Sequence, residues 1–318
     1  MIMEQLFSKE NPEDFNDSID FFELFNVVLQ GKWLIIFITS FFSITGVIYS
    51  LLLPNIYESE TVLVPVNPAR GLSGALRSYS SLAGLTGLSI PAAGSENNSV
   101  KALEKLSSLS FFKNNVLENI FLPDLMAVKS WDSKTKLIIY DESQYDSKSE
   151  NWIREYSYPN TQIPSAQESF KVFKKDHLSI SEDNTTGFIT LRIKHQSPIL
   201  AQQWAELMIN EVNTFYREKD KTESEKAVNF LNKQITMTGL AEVKQAIAEL
   251  LQEETKKLAL IEANQYYVFD FIDPPVVMEE KSEPHRAFIC ILSALLGGML
   301  SIVIVFIRHY VGLQSKEN

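Results

Sequence analysis

The chain has 318 residues, 22% of them charged, and a formal net charge of −11. An acidic chain with no basic stripe does not neutralise phosphates along a groove, so a nucleic-acid partner is excluded, as is a broad clamp on anionic lipid. The single cysteine, Cys290, rules out an intramolecular disulfide.

Two apolar runs divide the chain. Trp33–Leu53 and Ala287–Ile307 are each about 21 residues without a charge, long enough as helices to cross a ~30 Å hydrocarbon layer. The first begins too late, and is too long, for a cleavable signal peptide. It ends at Leu53-Pro54-Asn55 without a small-x-small site, so it reads as a retained anchor. Two spans put both tails on one side and residues 54–286 on the other. Lys32 and Arg308 beside the spans lean the tails towards the cytoplasm.

In chain order, residues 1–32 form a polar tail. From Ser18 it tightens into a short interfacial helix, with Ile19, Phe22, Phe25 and Val28 on one face. After the first span, Tyr57–Val66 alternates as a strand and ends at Pro65 and Pro68. Arg70–Ser99, rich in Gly, Ser, Leu and Ala, reads as a loop, with spaced leucines (Leu82, Leu85, Leu88) suited to packing between subunits. The period of Leu103, Leu106, Leu109, Val116, Leu117 and Ile120 predicts a helix over Val100–Leu122. Leu137–Tyr140 is short and β-prone, Asp141–Pro164 is turn-rich, and Gln167–Phe173 suits a short helix.

The sharpest local expectation is a hairpin. Leu178–Ser181 and Phe188–Lys194 alternate on either side of the turn Glu182–Gly187, with Ile189, Leu191 and Ile193 facing the core. Ser197 then offers an N-cap, Pro198 fits the first turn, and no residue breaks a helix before about Met237. A second amphipathic run carries Leu240, Val243, Ile247, Leu250, Leu251, Leu258 and Ile261. Gly239 between the two either turns the chain back or is tolerated within one rod. The region about 198–263 is thus a protruding rod or a helical hairpin that packs on copies of itself. Val268–Ile272 returns as a strand, and Pro274, Pro275 and Pro284 punctuate the approach to the second span.

Within that span Ser293, Ala294, Gly297, Gly298 and Ser301 give three overlapping small-xxx-small spacings. They form a candidate seam for close helix packing, with Ser43 and Gly46 of the first span as possible partners. No catalytic constellation emerges. His177, His195, His285 and His309 are scattered, without a metal-ligand spacing, and neither a nucleophile elbow nor a phosphate-binding loop occurs. The expectation is no enzyme, no cofactor and no metal. The roughly ten residues after the second span are too few to carry a fused kinase.

These features resemble the chain-length determinant (Wzz) family of polysaccharide co-polymerases along almost the whole chain. The resemblance rests on Ile19–Trp33 (IDFFELFNVVLQGKW), Pro54–Ser59 after the span, Ser81–Leu85 (SLAGL) and Gly187–Leu191. It continues through Ser197-Pro198 with Ala201 and Trp204, Asp273-Pro274-Pro275, and Pro284 followed by Gly297-Gly298-Met299. The chain departs from the family pattern at Met278, where another proline is usual, and in the split Ser282-Glu283-Pro284. The resemblance implies an α+β membrane protein of the bacterial inner membrane. Two transmembrane helices would flank a periplasmic α/β base with a long protruding helix or helical hairpin, and copies would assemble into a ring or bell. It further implies non-catalytic control of the length of lipid-linked polysaccharide, O-antigen of lipopolysaccharide above all, together with a Wzy-type polymerase. The alternative is a two-span periplasmic sensor or adaptor docked to an export complex.

Overall fold

The computed structural model describes residues 21–66, 96–264 and 266–317. The expected loop over Arg70–Ser99, including the SLAGL run, and the start of the expected interfacial helix lie mostly or wholly outside the described residues. The chain forms two units, one of Met1–Leu53 with His285–Asn318 and one of Pro54–Pro284.

In the first unit, helix α1 (Phe21–Gln30) is followed after Gly31 by α2 (Lys32–Leu52), and the chain's last helix is Arg286–Glu317. Residues Lys32–Leu52 and Arg286–His309 are long and apolar enough to cross a bilayer. The last helix runs well past Ile307, where the charge-free stretch predicted from sequence ends. Arg308 and His309 follow without a helix breaker, so nothing local stops it.

The second unit is built on a four-stranded antiparallel sheet. Its strands are β1 (Tyr57–Pro65), β6 (Leu178–Glu182), β7 (Ile189–His195) and β8 (Phe269–Asp273), in the order β6-β7-β1-β8. The predicted hairpin is the β6–β7 pair, closed by a turn in which Gly187 takes φ +70°, a conformation glycine adopts without strain. Ile189, Leu191 and Ile193 are buried as expected, in register with Leu63, Thr61 and Ser59 of β1.

Against this face lies α6 (Pro198–Met237), 40 residues and ~60 Å long. Its start is as predicted: the Ser197 hydroxyl accepts the Leu200 N–H at 3.4 Å and Pro198 fills the first turn. Replacing Ser197 with alanine should lower unfolding stability by about 1 kcal/mol, read in denaturant titrations. Ala201, Trp204, Ala205, Met208, Ile209, Val212 and Tyr216 recur at three- and four-residue steps and are all buried. The chain stops being helical at Thr238–Leu240 and α7 (Ala241–Ala263) runs back. This is fixed by Lys221 Nζ on Glu262 at 2.5 Å and by Arg217 Nη2 donating to the Asn264 carbonyl at 3.1 Å. Gly239 therefore marks a turn, and the region is a helical hairpin rather than one rod.

One expectation fails. Val100–Leu122 is not a single helix. Helix α3 (Glu96–Leu106) ends where the Ser108 hydroxyl donates to Lys105 O at 2.7 Å and accepts Phe111 N–H, starting a new turn. A π-helical turn over Phe112–Val116 follows, and adjacent Phe111 and Phe112 are both buried in the core with Val116. Helix α4 (Leu122–Met126) leads into β2 (Val128–Asp132). This strand pairs with β3 (Leu137–Tyr140), the β-prone stretch read from sequence. The turn-rich stretch holds a two-residue ribbon, β4 (Tyr145–Asp146) with β5 (Asn151–Trp152), before α5 (Ala166–Val172). Its connection is organised by Arg154, which donates to the Thr161 and Gln162 carbonyls and clamps Glu168 with both terminal nitrogens.

Candidate functional site

Three constructions carry the chemistry available here: the packed apolar helices, the proline approach, and the root of the helical hairpin.

In the first unit, α2 and the last helix (α8, Arg286–Glu317) pack antiparallel. A Cβ on Gly46 would lie 2.0 Å from the Ser293 hydroxyl oxygen, and one on Gly297 would lie 2.6 Å from Cβ of Phe42 and 3.3 Å from the Thr39 backbone. Further along, a Cβ on Gly31 would lie 2.6 Å from Val305. Ser293, Gly297 and Ser301 thus share the face turned to α2, with Ser301 wholly buried. Gly298 lies off this line, since a Cβ there would meet only the Thr39 hydroxyl at 3.9 Å. Ser43 donates back to Thr39 O within its own helix at 2.8 Å, and Ala294 is half-buried.

The proline approach belongs to the second unit and runs beside β1. Pro274 and Pro275 lack the N–H that a ladder needs, so regular backbone pairing with β1 stops at Asp273. The buried hydroxyls of Thr61 and Ser59 donate to the carbonyls of Asp273 (2.7 Å) and Val276 (3.0 Å). At the far end the Ile56 N–H donates to Glu283 O at 2.9 Å and the Ser282 N–H to Ile56 O at 2.9 Å. The two ends of this unit are therefore clasped together at Ile56 and Ser282–Glu283, just before Pro284. On the solvent face of the sheet, Lys194 bridges Glu283 (2.6 Å) and Glu58 (3.4 Å), while Arg192 bridges Glu58 (3.4 Å) and Glu60 (2.8 Å). The clasp so joins a charge ladder that sequence spacing did not reveal. Glu283 beside it holds the Lys194 ammonium above its ordinary pKa.

At the hairpin's root, the buried Asn213 side chain faces the strand that returns from α7. Its oxygen accepts the N–H groups of Tyr267 (3.3 Å), Val268 (2.7 Å) and Phe269 (3.0 Å), and its amide donates to Phe269 O at 2.9 Å. About two turns on, Asp220 accepts the Tyr267 hydroxyl at 2.5 Å. Sequence reading passed over Asn213 and Asp220. Polar residues on the core stripe of an otherwise apolar helix face were the available signal.

The histidines are not all scattered. The β6–β7 pairing brings His177 and His195 into a stack with ring centroids 5.6 Å apart, both edge-on to Trp204. Among the described residues no group of three or more His, Cys, Asp or Glu side chains is placed to hold a metal ion.

Paired apolar helices at the two ends of the chain, a mixed sheet-and-helix unit and a long helical hairpin define the class. Within it, the chain carries the domain of the Wzz family, "Chain length determinant protein", matched over residues 17–111. Residues 233–310 match GNVR, "G-rich domain on putative tyrosine kinase", which takes in α7, the proline approach and most of the last helix. No curated protein matches the sequence. Among solved structures, a full-length bacterial polysaccharide co-polymerase is similar at 13% identity and TM-score 0.41, over 92% of this chain and 98% of that one. A fragment of WzzB, a polysaccharide co-polymerase from Salmonella Typhimurium, is similar at 11% identity and TM-score 0.33, over 72% and 100%.

Proposed function

We propose that this protein regulates the chain length of a surface polysaccharide without itself making or breaking a glycosidic bond. The observation that carries this reading is the chain length determinant domain over residues 17–111. In this reading the two apolar helices anchor the chain in the bacterial inner membrane, with residues 54–286 periplasmic and both tails cytoplasmic. Copies assemble into a ring or bell. The assembly holds a Wzy-type polymerase and its lipid-linked polysaccharide, O-antigen in the first instance, so that geometry sets the length.

The hairpin supports self-assembly. Ile261 is the buried residue of α7, while Phe230, Met237, Leu240, Val243 and Leu250 stand exposed along the pair. The outer part of the hairpin, about 225–260, buries little of its apolar surface and gains from packing on further copies. The clasp between Ile56 and Glu283 supports a base in which the two membrane connections leave side by side.

Deleting the gene in its source bacterium and separating the surface polysaccharide on a gel tests the reading. The expected result is loss of clustering around a preferred length, with polymer still made. An unchanged ladder overturns it.

A further inference from the structure

We propose that His195 and His177 form an acid-operated latch at the root of the long helix α6, released when the rings take up protons. The geometry fixes their present state. Nδ1 of His195 accepts the Ser197 N–H at 2.8 Å, so this nitrogen carries a lone pair, and the proton on Nε2 is donated to Asp124 O at 2.9 Å. The neutral ring thereby ties two elements together: α4, through Asp124, and the capping residue of α6, through Ser197. His195 and Ser197 are both buried, at 2% and 3% exposure. His177 donates from Nδ1 to Lys194 O at 2.7 Å.

A second proton on His195 can go only to Nδ1. It turns the acceptor into a donor that faces the Ser197 N–H, repels it at that distance, and leaves it buried without a partner. The ring stacked 5.6 Å away is also a histidine, so a charge on either opposes a charge on the other.

The surroundings do little to receive that charge. From α4, Asp124 offers its carbonyl, while its carboxylate accepts the Tyr140 hydroxyl at 2.6 Å. From β7, the Lys194 ammonium is engaged with Glu58 and Glu283. From β1, Tyr57 is the register partner of His195, and α6 presents neutral Trp204 and Ser197. Asp176, next in chain to His177, favours its protonation from the surface. Among the described residues no carboxylate is hydrogen-bonded to either ring.

Burial accordingly lowers both imidazoles, His195 to about 4, with the His177 ring pushing the same way. The sign follows. Above a pH of about 6.5 the rings are neutral folded or unfolded, and the latch is fully present. As pH falls towards about 4 the unfolded chain takes protons that the folded one refuses, and the latch weakens.

Amide hydrogen exchange on the full-length chain in lipid nanodiscs, corrected for the intrinsic pH dependence, tests the latch. Protection of residues 196–205 should fall about tenfold or more between pH 6.5 and 4.5 while residues 189–193 stay protected. In His195→Gln the step should vanish. Should that variant not fold, His177→Phe decides: it keeps a stacked ring and removes the neighbouring charge, so the step should survive at higher pH. Both segments opening together in the wild type, a wild-type step in His195→Gln, or an unmoved step in His177→Phe would overturn the proposal.

Discussion

Asn213→Ala should destabilise the protein by roughly 4 kcal/mol, because it strips a buried acceptor from three backbone N–H groups and a donor from one carbonyl. Each buried group left unpaired carries about 1–3 kcal/mol, and partial rescue by water keeps the total below their sum. The loss falls on Tyr267–Phe269, the segment that joins α7 to β8, so the hairpin's return leg should loosen first. Denaturant unfolding of the detergent-solubilised chain, followed by tryptophan fluorescence, measures it. Asn210→Ala, exposed on the same helix, is the control and should move stability by less than about 0.5 kcal/mol. Equal effects at the two positions would show that the Asn213 bonds contribute nothing.

The second large effect lies between the apolar helices. Gly297→Leu drives a side chain into Phe42 and the backbone at Thr39, where even a Cβ would be 2.6 Å and 3.3 Å from its neighbours. Gly46→Leu does the same against Ser293, at 2.0 Å. The pair must separate or tilt, and a loss of about 3 kcal/mol or more is expected, against less than about 1 for Gly298→Leu, where a Cβ meets nothing nearer than the Thr39 hydroxyl at 3.9 Å. Thermal unfolding in micelles should rank the three in that order. Gly298→Leu melting as low as Gly297→Leu would refute the packing.

How much of this was legible from residues alone depended on whether the cause was local. The hairpin at 178–195, the Ser197-Pro198 start and the apolar runs are each specified by neighbours in sequence: alternation, a cap, an uninterrupted helix. The break at Ser108 was missed because the leucine period runs straight across it, and only the hydroxyl's bonds to Lys105 and Phe111 reveal the cap. Gly239 was ambiguous for a related reason. A glycine's tolerance of two backbones cannot tell a turn from a kink until Lys221 meets Glu262.

The sites were less legible still. Among the candidate seam residues, nothing in the small-xxx-small spacing separates Gly297 from Gly298, because rotation about the helix axis is decided by the partner helix. Asn213, the His177–His195 stack and the Glu58–Lys194–Glu283 ladder join residues between 18 and 225 positions apart, which no local pattern encodes. The prolines of the approach were visible as punctuation, but their supports, the hydroxyls of Ser59 and Thr61, sit more than 200 residues upstream.

The proposed length control requires subunits to act together. The measurement that reaches this most directly is the length distribution of surface polysaccharide in cells making equal amounts of wild type and of a Phe230→Glu, Leu250→Glu double variant, which places charges on the exposed hairpin face. Shared assemblies predict a ladder shifted or broadened away from the wild-type preferred length, even with a full complement of normal protein present. A ladder identical to that of wild type alone would mean that each copy works independently, and would contradict the account.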